Sequence, residues 1–175
     1  MEHLLTTLAR LMEEHDLPAL LIGGHAVIAL GHPRATFDID LLIPRSAGDA
    51  WKDQLDRHQY QVFSENRNFI QFESTPSLPL PALDLMLVDE DVFETLHTSR
   101  TQNQPIPSPA PQAMVALKLH AINQPDREDT AKDWSDILAI IDAQGLTLDD
   151  SEFSASVLKH GGDKAIAKIT DHFAR

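Results

Sequence analysis

Hydrophobic residues recur along this chain with two different spacings, and the spacing separates its predicted helices from its predicted strands. Residues 2–15 carry apolar side chains three or four positions apart, which is typical of one face of an amphipathic helix. Those side chains are Leu4, Leu5, Leu8, Leu11 and Met12. Pro18 ends this helix, and the apolar run at 19–22 is too short for another, so it predicts a buried strand. A glycine pair follows, and residues 25–30 predict a short helix.

The middle of the chain alternates between apolar strands and short helices. Residues 36–43 predict a second strand, and residues 46–57 predict a helix in which Trp51 and Leu55 face inward. The pattern then predicts a hairpin over 60–74, a third apolar strand over 82–89 and a helical turn over 91–96.

The last part of the chain predicts helices alone. They are expected at 113–122, 127–145, 151–160 and 163–174. The fold class is therefore α/β, or more strictly α+β, with a mixed sheet flanked by helices. We expect the sheet core over residues 1–97, a proline-rich connection over 98–111, and a C-terminal helical part over 112–175 packed on the core.

Two aspartates interrupt the second predicted strand. Successive side chains of a strand point to opposite faces, so Asp38 and Asp40 share one face while Phe37, Ile39 and Leu41 share the other. The apolar face is expected to belong to the core. The strand rise puts the two aspartates about 7 Å apart. Half-buried like charges are costly unless they are paired or bind a cation, and oxygen ligands of this kind suit Mg²⁺ or Mn²⁺.

The third apolar strand also contains a lone acid. Leu83, Leu85 and Leu87 take one of its faces, and Asp84 breaks the apolar character of the other. If the two acid-bearing strands are neighbours, three carboxylates converge. Three carboxylates can hold two metal ions roughly 3.5–4 Å apart, an arrangement used for in-line phosphoryl or nucleotidyl transfer. By itself, each acid could equally be a solvated or salt-bridged side chain.

The glycine pair lies between a predicted strand and the start of a helix. Gly23 and Gly24 would let the backbone come close to a phosphate, and a helix start offers free N–H donors. In isolation, such a pair could also be an ordinary strand-to-helix turn. Arg34 could bind phosphate or pair with Asp38.

Composition narrows the partners. The formal net charge of −13 disfavours a broad grip on phosphate backbones, but it permits cationic small molecules and divalent metal ions. The chain has no cysteine, which excludes a disulfide framework and a cysteine nucleophile. The first residues lack the pattern of a signal peptide and no apolar run reaches a membrane-spanning length, so we expect a cytoplasmic protein without a membrane partner.

The glycine pair, the acidic triplet at 38–40 and the later strand acid together resemble the nucleotidyltransferase fold of the DNA polymerase β superfamily. The resemblance implies that Asp38 and Asp40 bind two Mg²⁺ ions. It implies that Asp84 binds the catalytic ion and helps to activate the attacking hydroxyl. Gly24 would contribute to the triphosphate site, where many members carry a serine whose hydroxyl this chain lacks.

Two branches of that superfamily are similar to parts of the chain. Residues 23–41 are similar to aminoglycoside-type nucleotidyltransferases, which also carry an arginine, here Arg34, shortly before the acidic pair. Residues 107–138 are similar to AbiEii-like toxin nucleotidyltransferases. The positions that match the toxin pattern are Lys118, Arg127, Lys132, Asp133 and Asp136. The toxin resemblance implies that Lys118 contacts the phosphates or base of the nucleotide.

The implied reaction is transfer of a nucleoside monophosphate from an NTP to a hydroxyl acceptor, with release of pyrophosphate. Because the toxin-like resemblance covers the longer stretch, the first-ranked acceptor is an RNA end or a protein hydroxyl. The same resemblance implies an antitoxin protein as partner. The aminoglycoside-like part favours a cationic small molecule. A non-catalytic nucleotide-binding module is the alternative from a different functional class.

Overall fold

The structure is a computed structural model that describes residues 2–76, 79–102, 104–125 and 130–174. The helices are α1 (Glu2–His15), α2 (Gly23–Ala29), α3 (Gly48–Arg57), α4 (Glu90–Thr98), α5 (Pro111–Ile122), α6 (Ala131–Gln144) and α7 (Ser151–Phe173). The strands are β1 (Leu20–Ile22), β2 (Ile39–Pro44), β3 (Tyr60–Glu65), β4 (Phe69–Ser74) and β5 (Leu83–Val88). One turn of 3-10 helix, Arg45–Ala47, precedes α3.

The strands form one mixed sheet in the order β1-β2-β5-β4-β3. β2 and β5 run parallel, whereas β1 pairs with β2, β4 with β5 and β3 with β4 in antiparallel fashion. β2 and β5 are direct neighbours, as the convergence of the acids requires. The predicted α+β class and the predicted hairpin are both confirmed.

One face of this sheet carries an apolar core. Leu41 of β2, Leu85 of β5 and Ile70 of β4 are register partners across three strands, so their side chains lie on one face, and all three are buried. Trp51 and Leu55 of α3 are also fully buried, which confirms the predicted inward side of that helix. The Trp51 indole N–H donates a hydrogen bond to the Pro18 carbonyl at 3.2 Å.

The chain divides into two compact units at positions that differ from the predicted ones. The first unit comprises Met1–Ala29 and Arg34–Pro109, and the second comprises Leu30–Pro33 and Ala110–Arg175. The second unit thus begins near the predicted helical part, but it also recruits four residues that precede β2.

The proline-rich segment predicted as a connection over 98–111 belongs to the first unit as far as Pro109. Thr101 and Ser108 pair through two backbone hydrogen bonds of 2.8 and 3.1 Å, and their hydroxyls lie 3.0 Å apart. Ile106 between them is fully buried. The Leu21 N–H donates to the Pro107 carbonyl at 2.8 Å. Proline content favours a linker, but these hydrogen bonds and this burial make the segment part of the unit.

The second unit is a helical body built from α5, α6 and α7. Its buried apolar side chains are Met114, Val115, Leu119, Ile137, Ile140, Ile141, Phe153, Val157, Ala165 and Ile169. Gly162 has φ 69° and ψ −173°, so it breaks α7 into the two predicted helices. Gly145 ends α6 as a C-cap in the left-handed conformation, which glycine adopts readily. No helix in the described part of the chain combines the length and the apolar character that a membrane crossing needs.

The second predicted strand begins later than expected, and Phe37 is not in the core. β2 starts at Ile39, whose N–H donates to the Ala82 carbonyl at 2.9 Å, and Phe37 is 81% exposed. Strand pairing stops at Ile39 because β5, which supplies the partners, begins at Leu83. Asp38 instead lies in a bend, where its Oδ1 accepts the Phe37 backbone N–H at 3.2 Å.

We expect replacement of Phe37 to leave stability almost unchanged. Phe37→Ser should alter the free energy of unfolding by no more than about 0.5 kcal/mol, since its ring is already exposed. The matched change Phe72→Ala removes a ring that is only 2% exposed and should cost about 3–5 kcal/mol. Urea unfolding of both variants measures the difference. A loss of several kcal/mol in Phe37→Ser would mean that the ring is buried, as the periodicity alone predicts.

Candidate active site

Two carboxylates lie side by side on one face of the sheet, and a third lies in the bend that precedes β2. Asp40 of β2 and Asp84 of β5 are register partners on neighbouring parallel strands, so their side chains share a face on strands about 4.8 Å apart. Both are half-buried. Asp38 lies exposed in the bend that leads into β2, and its negative charge acts on Asp84. The structure therefore places Asp40 beside Asp84 and puts Asp38 within electrostatic range of Asp84, while their joint role as metal ligands stays a prediction.

Asp84 is an acid whose surroundings shift its pKa. Burial raises the pKa of its carboxyl, and the nearby charge of Asp38 raises it further, while a hydrogen bond from Gln71 opposes both. The native state thus favours the protonated form of Asp84 relative to the unfolded chain, and ionisation at neutral pH costs stability. A bound cation would offset that cost.

Gly23 gives Asp40 the space that it occupies. Gly23 has φ +62°, a left-handed conformation that side chains rarely adopt. A methyl group added there would overlap the Asp40 carboxylate, and it would lie 2.8 Å from the Asp40 Cβ. The backbone at the start of α2 therefore touches the acid directly, so a glycine is required at this position whatever ligand the site takes.

Gly24 packs against the loop that precedes β2. A methyl group there would lie 2.6 Å from the Thr36 Cβ and 3.0 Å from the Arg34 Nη2. The Thr36 hydroxyl donates to Asp38 Oδ1 at 3.3 Å. The guanidinium of Arg34 thus lies beside the glycine turn and adds a positive charge there.

His25 follows the glycine pair and contributes a buried ring nitrogen. Its Nε2 is shielded from solvent and has no hydrogen-bond partner. Burial lowers the pKa of the imidazole and the charge of Arg34 lowers it further, although Asp38 acts in the opposite direction. His25 is therefore neutral at pH 7, and it can supply one donor and one acceptor.

Lys118 lies in the second unit and is already engaged by two acids. Its Nζ is 2.7 Å from Asp136 Oδ2 and 3.1 Å from Asp133 Oδ1. The two aspartates are only 1% and 4% exposed. The contact of Lys118 with a nucleotide remains a prediction. Arg127, which belongs to the same matched pattern, lies outside the described residues.

The donor chemistry of the site fits a hard divalent cation. Asp40 and Asp84 offer carboxylate oxygens side by side, which are ligands that Mg²⁺ accepts. Within the described stretches, no group of three or more histidine, cysteine or carboxylate side chains is arranged to hold a metal ion. Mg²⁺ is usually held by one or two carboxylates, and waters and substrate phosphates complete its shell. The two carboxylates therefore fit a cation whose remaining ligands are not protein side chains.

Three neighbours of the acids escaped the sequence patterns. Thr36 lies in the loop before β2 and donates to Asp38, whereas His25 lies in α2 and is affected by the charge of Asp38. Neither position carries a periodic signal. Gln71 is a polar residue in the alternating second arm of the hairpin, which marks its face but not its partner. The sheet order was needed to place it opposite Asp84.

No protein-family model matches the chain, and no curated protein sequence matches it. Among solved structures, the antibiotic-resistance factor ANT(2'')-Ia superimposes with a TM-score of 0.66 and 16% identity, over 99% of this chain and 100% of that one. The fold is that of the nucleotidyltransferases.

The nucleotidyltransferase fold also relates the chain to enzymes with other substrates. The lincosamide antibiotic adenylyltransferase LnuA, solved with lincomycin bound, matches with a TM-score of 0.55 and 17% identity, over 80% of this chain and 96% of that one. The Megavirus polyadenylate synthase matches with a TM-score of 0.60 and 14% identity, over 83% of this chain and 32% of that one. At these identities the likeness is one of fold.

We expect Gly23→Ala to destabilise the protein by more than the left-handed backbone conformation of Gly23 alone would cause. Gly145 has the same φ of +62°, and a methyl group added there would meet no atom within 4 Å, so Gly145→Ala isolates the cost of the left-handed conformation, about 1 kcal/mol. Gly23→Ala carries that cost and also displaces the Asp40 carboxylate, which should add about 1–3 kcal/mol. Thermal unfolding of the two variants gives the comparison. Equal losses would contradict the contact between Gly23 and Asp40.

We expect Lys118→Met to destabilise the protein strongly. Removal of the ammonium leaves two buried carboxylates without that cation, which should cost about 3–5 kcal/mol in the free energy of unfolding. Lys168→Met is the matched control, because the Lys168 ammonium lies 4.3 Å from the Trp134 ring centroid at the surface and its loss should cost about 1 kcal/mol or less. A Lys118→Met protein of normal stability that binds NTP weakly would instead support the predicted nucleotide contact.

Proposed function

We propose that the protein transfers a nucleoside monophosphate from an NTP to a hydroxyl group of an acceptor and releases pyrophosphate. The observation that carries this proposal is the register of two parallel strands that sets Asp40 opposite Asp84, with the Gly23 turn against Asp40. The fold, which is shared with nucleotidyltransferases, agrees with it.

Each part of the site has a distinct task in this reaction. The backbone at Gly23 and Gly24 and the Arg34 guanidinium bind the triphosphate. Asp38, Asp40 and Asp84 would hold two Mg²⁺ ions together with waters and the substrate phosphates. When bound, the ions neutralise phosphate charge and lower the pKa of the acceptor hydroxyl.

The transfer step balances without any further reactant. The acceptor oxygen forms a bond to the α-phosphorus, and the bond from that phosphorus to the bridging oxygen breaks. Pyrophosphate takes the electron pair and leaves. The Asp84 carboxylate, which lies half-buried beside the reacting centre, accepts the hydroxyl proton.

The charge of the sheet favours a cationic small molecule as the acceptor. The strands on the far side of Asp84, β4 and β3, contain no lysine or arginine, and neither does β5 itself. An RNA end usually requires such side chains along its backbone. ANT(2'')-Ia is an antibiotic-resistance factor and LnuA is a lincosamide antibiotic adenylyltransferase, so the fold accommodates small acceptors in other proteins.

A second candidate acceptor is an RNA end or a protein hydroxyl. The similarity of residues 107–138 to toxin nucleotidyltransferases supports it, and the match to a polyadenylate synthase agrees with an RNA end. In that case the protein acts as a toxin and its partner is an antitoxin.

The test supplies the purified protein with α-labelled NTPs, Mg²⁺ and three classes of acceptor, which are amino-substituted polyols, RNA and protein. We expect label on a cationic small molecule and none after EDTA is added. Asp40→Asn and Asp84→Asn should each lower the rate by about 10²-fold or more, since each removes a charge that acts directly on the transition state. Asp56→Asn, an exposed carboxylate on α3, serves as the control and should match the wild type.

Folding of these variants is measured in parallel by thermal unfolding without metal. Asp84→Asn should unfold at a temperature equal to or above that of the wild type, because a half-buried charge is replaced by a neutral amide. Label found on RNA or protein alone would move the acceptor to the second candidate. Magnesium-dependent NTP binding without transfer to any acceptor would make the protein a nucleotide-binding module and refute the proposed transfer.

A further inference from the structure

Gln71 lies directly opposite Asp84, and the reaction proposed above assigns it no task. β4 and β5 pair antiparallel with Gln71 and Asp84 in register, so both side chains project from one face of the sheet. The Gln71 Nε2 donates a hydrogen bond to Asp84 Oδ2 at 3.2 Å. This amide is therefore a direct contact of the carboxylate that is expected to act on the acceptor.

A neutral amide side chain suits position 71 better than a cationic side chain would. An ionised carboxylate only accepts hydrogen bonds, so the side chain of Gln71 must turn its NH₂ group toward Asp84. A carboxylate offers about four lone-pair positions, so one N–H at Oδ2 leaves acceptor capacity on both oxygens. A lysine or arginine in this position would neutralise Asp84 and compete with a metal ion, whereas the neutral amide keeps the full negative charge.

An aspartate at the edge of a site needs such a contact because its side chain rotates about two bonds. Catalytic groups must be held within about 0.5 Å of the productive geometry, usually by hydrogen bonds from neighbouring residues. Groups that orient a metal-binding carboxylate typically change metal affinity or activity by 10–100-fold when they are removed. The opposing effect of Gln71 on the pKa of Asp84 agrees with a bond to the ionised form.

We infer that Gln71 is a positioning residue, which orients the Asp84 carboxylate toward the metal ions and the acceptor hydroxyl. The inference rests on the proposed nucleotidyl transfer. It applies to Gln71 rather than to any amide of the sheet. Gln61 is also an exposed glutamine on the same sheet, but it lies on β3 in register with Glu73, two strands away from β5. Gln61 therefore provides a matched control.

The first experiment compares Gln71→Leu with Gln61→Leu. Binding of Mn²⁺ is followed by electron paramagnetic resonance, with a non-hydrolysable NTP analogue present. Turnover is measured with the acceptor that receives label in the test of the proposed function. Gln71→Leu should weaken Mn²⁺ binding and slow turnover by about 10–100-fold, whereas Gln61→Leu should change neither. Gln71→Glu, which cannot donate to an ionised carboxylate and adds a like charge, should lose at least as much. Both leucine variants should unfold at the wild-type temperature, because neither glutamine is buried.

The second experiment observes the hydrogen bond itself in the metal-free protein. The side-chain amide resonance of Gln71 in ¹⁵N-labelled protein is identified by its absence from Gln71→Leu. Asp84→Ala should shift this resonance and leave that of Gln61 in place. A Gln71 resonance that does not respond to Asp84→Ala would overturn the positioning role, whatever the activity of the protein.

The two proposals fail in different ways. If the wild type binds Mn²⁺ with the NTP analogue and transfers label, but Gln71→Leu matches it in both, the positioning role is wrong and the transfer stands. If the wild type neither binds Mn²⁺ nor transfers label, the proposed function is wrong and the role assigned to Gln71 falls with it. Equal losses of Mn²⁺ binding and turnover in Gln71→Leu and Gln61→Leu would indicate a general effect on the sheet. That result would overturn the inference.

Discussion

The parallel pairing of β2 with β5 is the constraint on which the candidate site depends. The apolar partners on the core face, among them Leu41 and Leu85, hold the register, because a slip by one residue would exchange the two faces and put an aspartate on the core side. The same register forces Asp40 to lie opposite Asp84. Burial and the nearby charge of Asp38 both disfavour the ionised form of Asp84. Burial of the apolar side chains on one face thus stabilises a strand pairing that holds the aspartates in unfavourable surroundings on the other face.

The backbone around these acids is shaped to admit them. Gly23 leaves room for the Asp40 carboxylate, and Gly24 leaves room for Thr36 and the Arg34 guanidinium. The resulting arrangement places negative carboxylates, a positive guanidinium and the backbone amides of a turn within one small region of the first unit. A ligand with both phosphate groups and divalent cations would match all three at once, which is the basis of the nucleotide chemistry proposed for the site.

The two units treat their buried acids in opposite ways. In the second unit, the Lys118 ammonium contacts Asp133 and Asp136, so charge is compensated within the protein. In the first unit, Asp84 receives a hydrogen bond from the neutral amide of Gln71. A full internal ion pair stabilises a fold but leaves little affinity for an outside cation. A neutral donor fixes the carboxylate and preserves its charge for a ligand, which is what a functional acid requires.

The sequence by itself determined the class of the fold, the helices and strands within a few residues, and the identity of the three acids and the glycine pair. These features depend on the spacing of neighbouring residues, which the chain carries in its local pattern. It misplaced Phe37, because the start of β2 is decided by where β5 offers hydrogen bonds rather than by the pattern of β2. It assigned the proline-rich segment around Ile106 to a connection, because composition does not reveal burial against distant residues. Only the tertiary structure decided that Gln71 faces Asp84 and that Lys118 meets two acids, since both contacts join residues far apart in sequence whose approach is set by sheet order and helix packing.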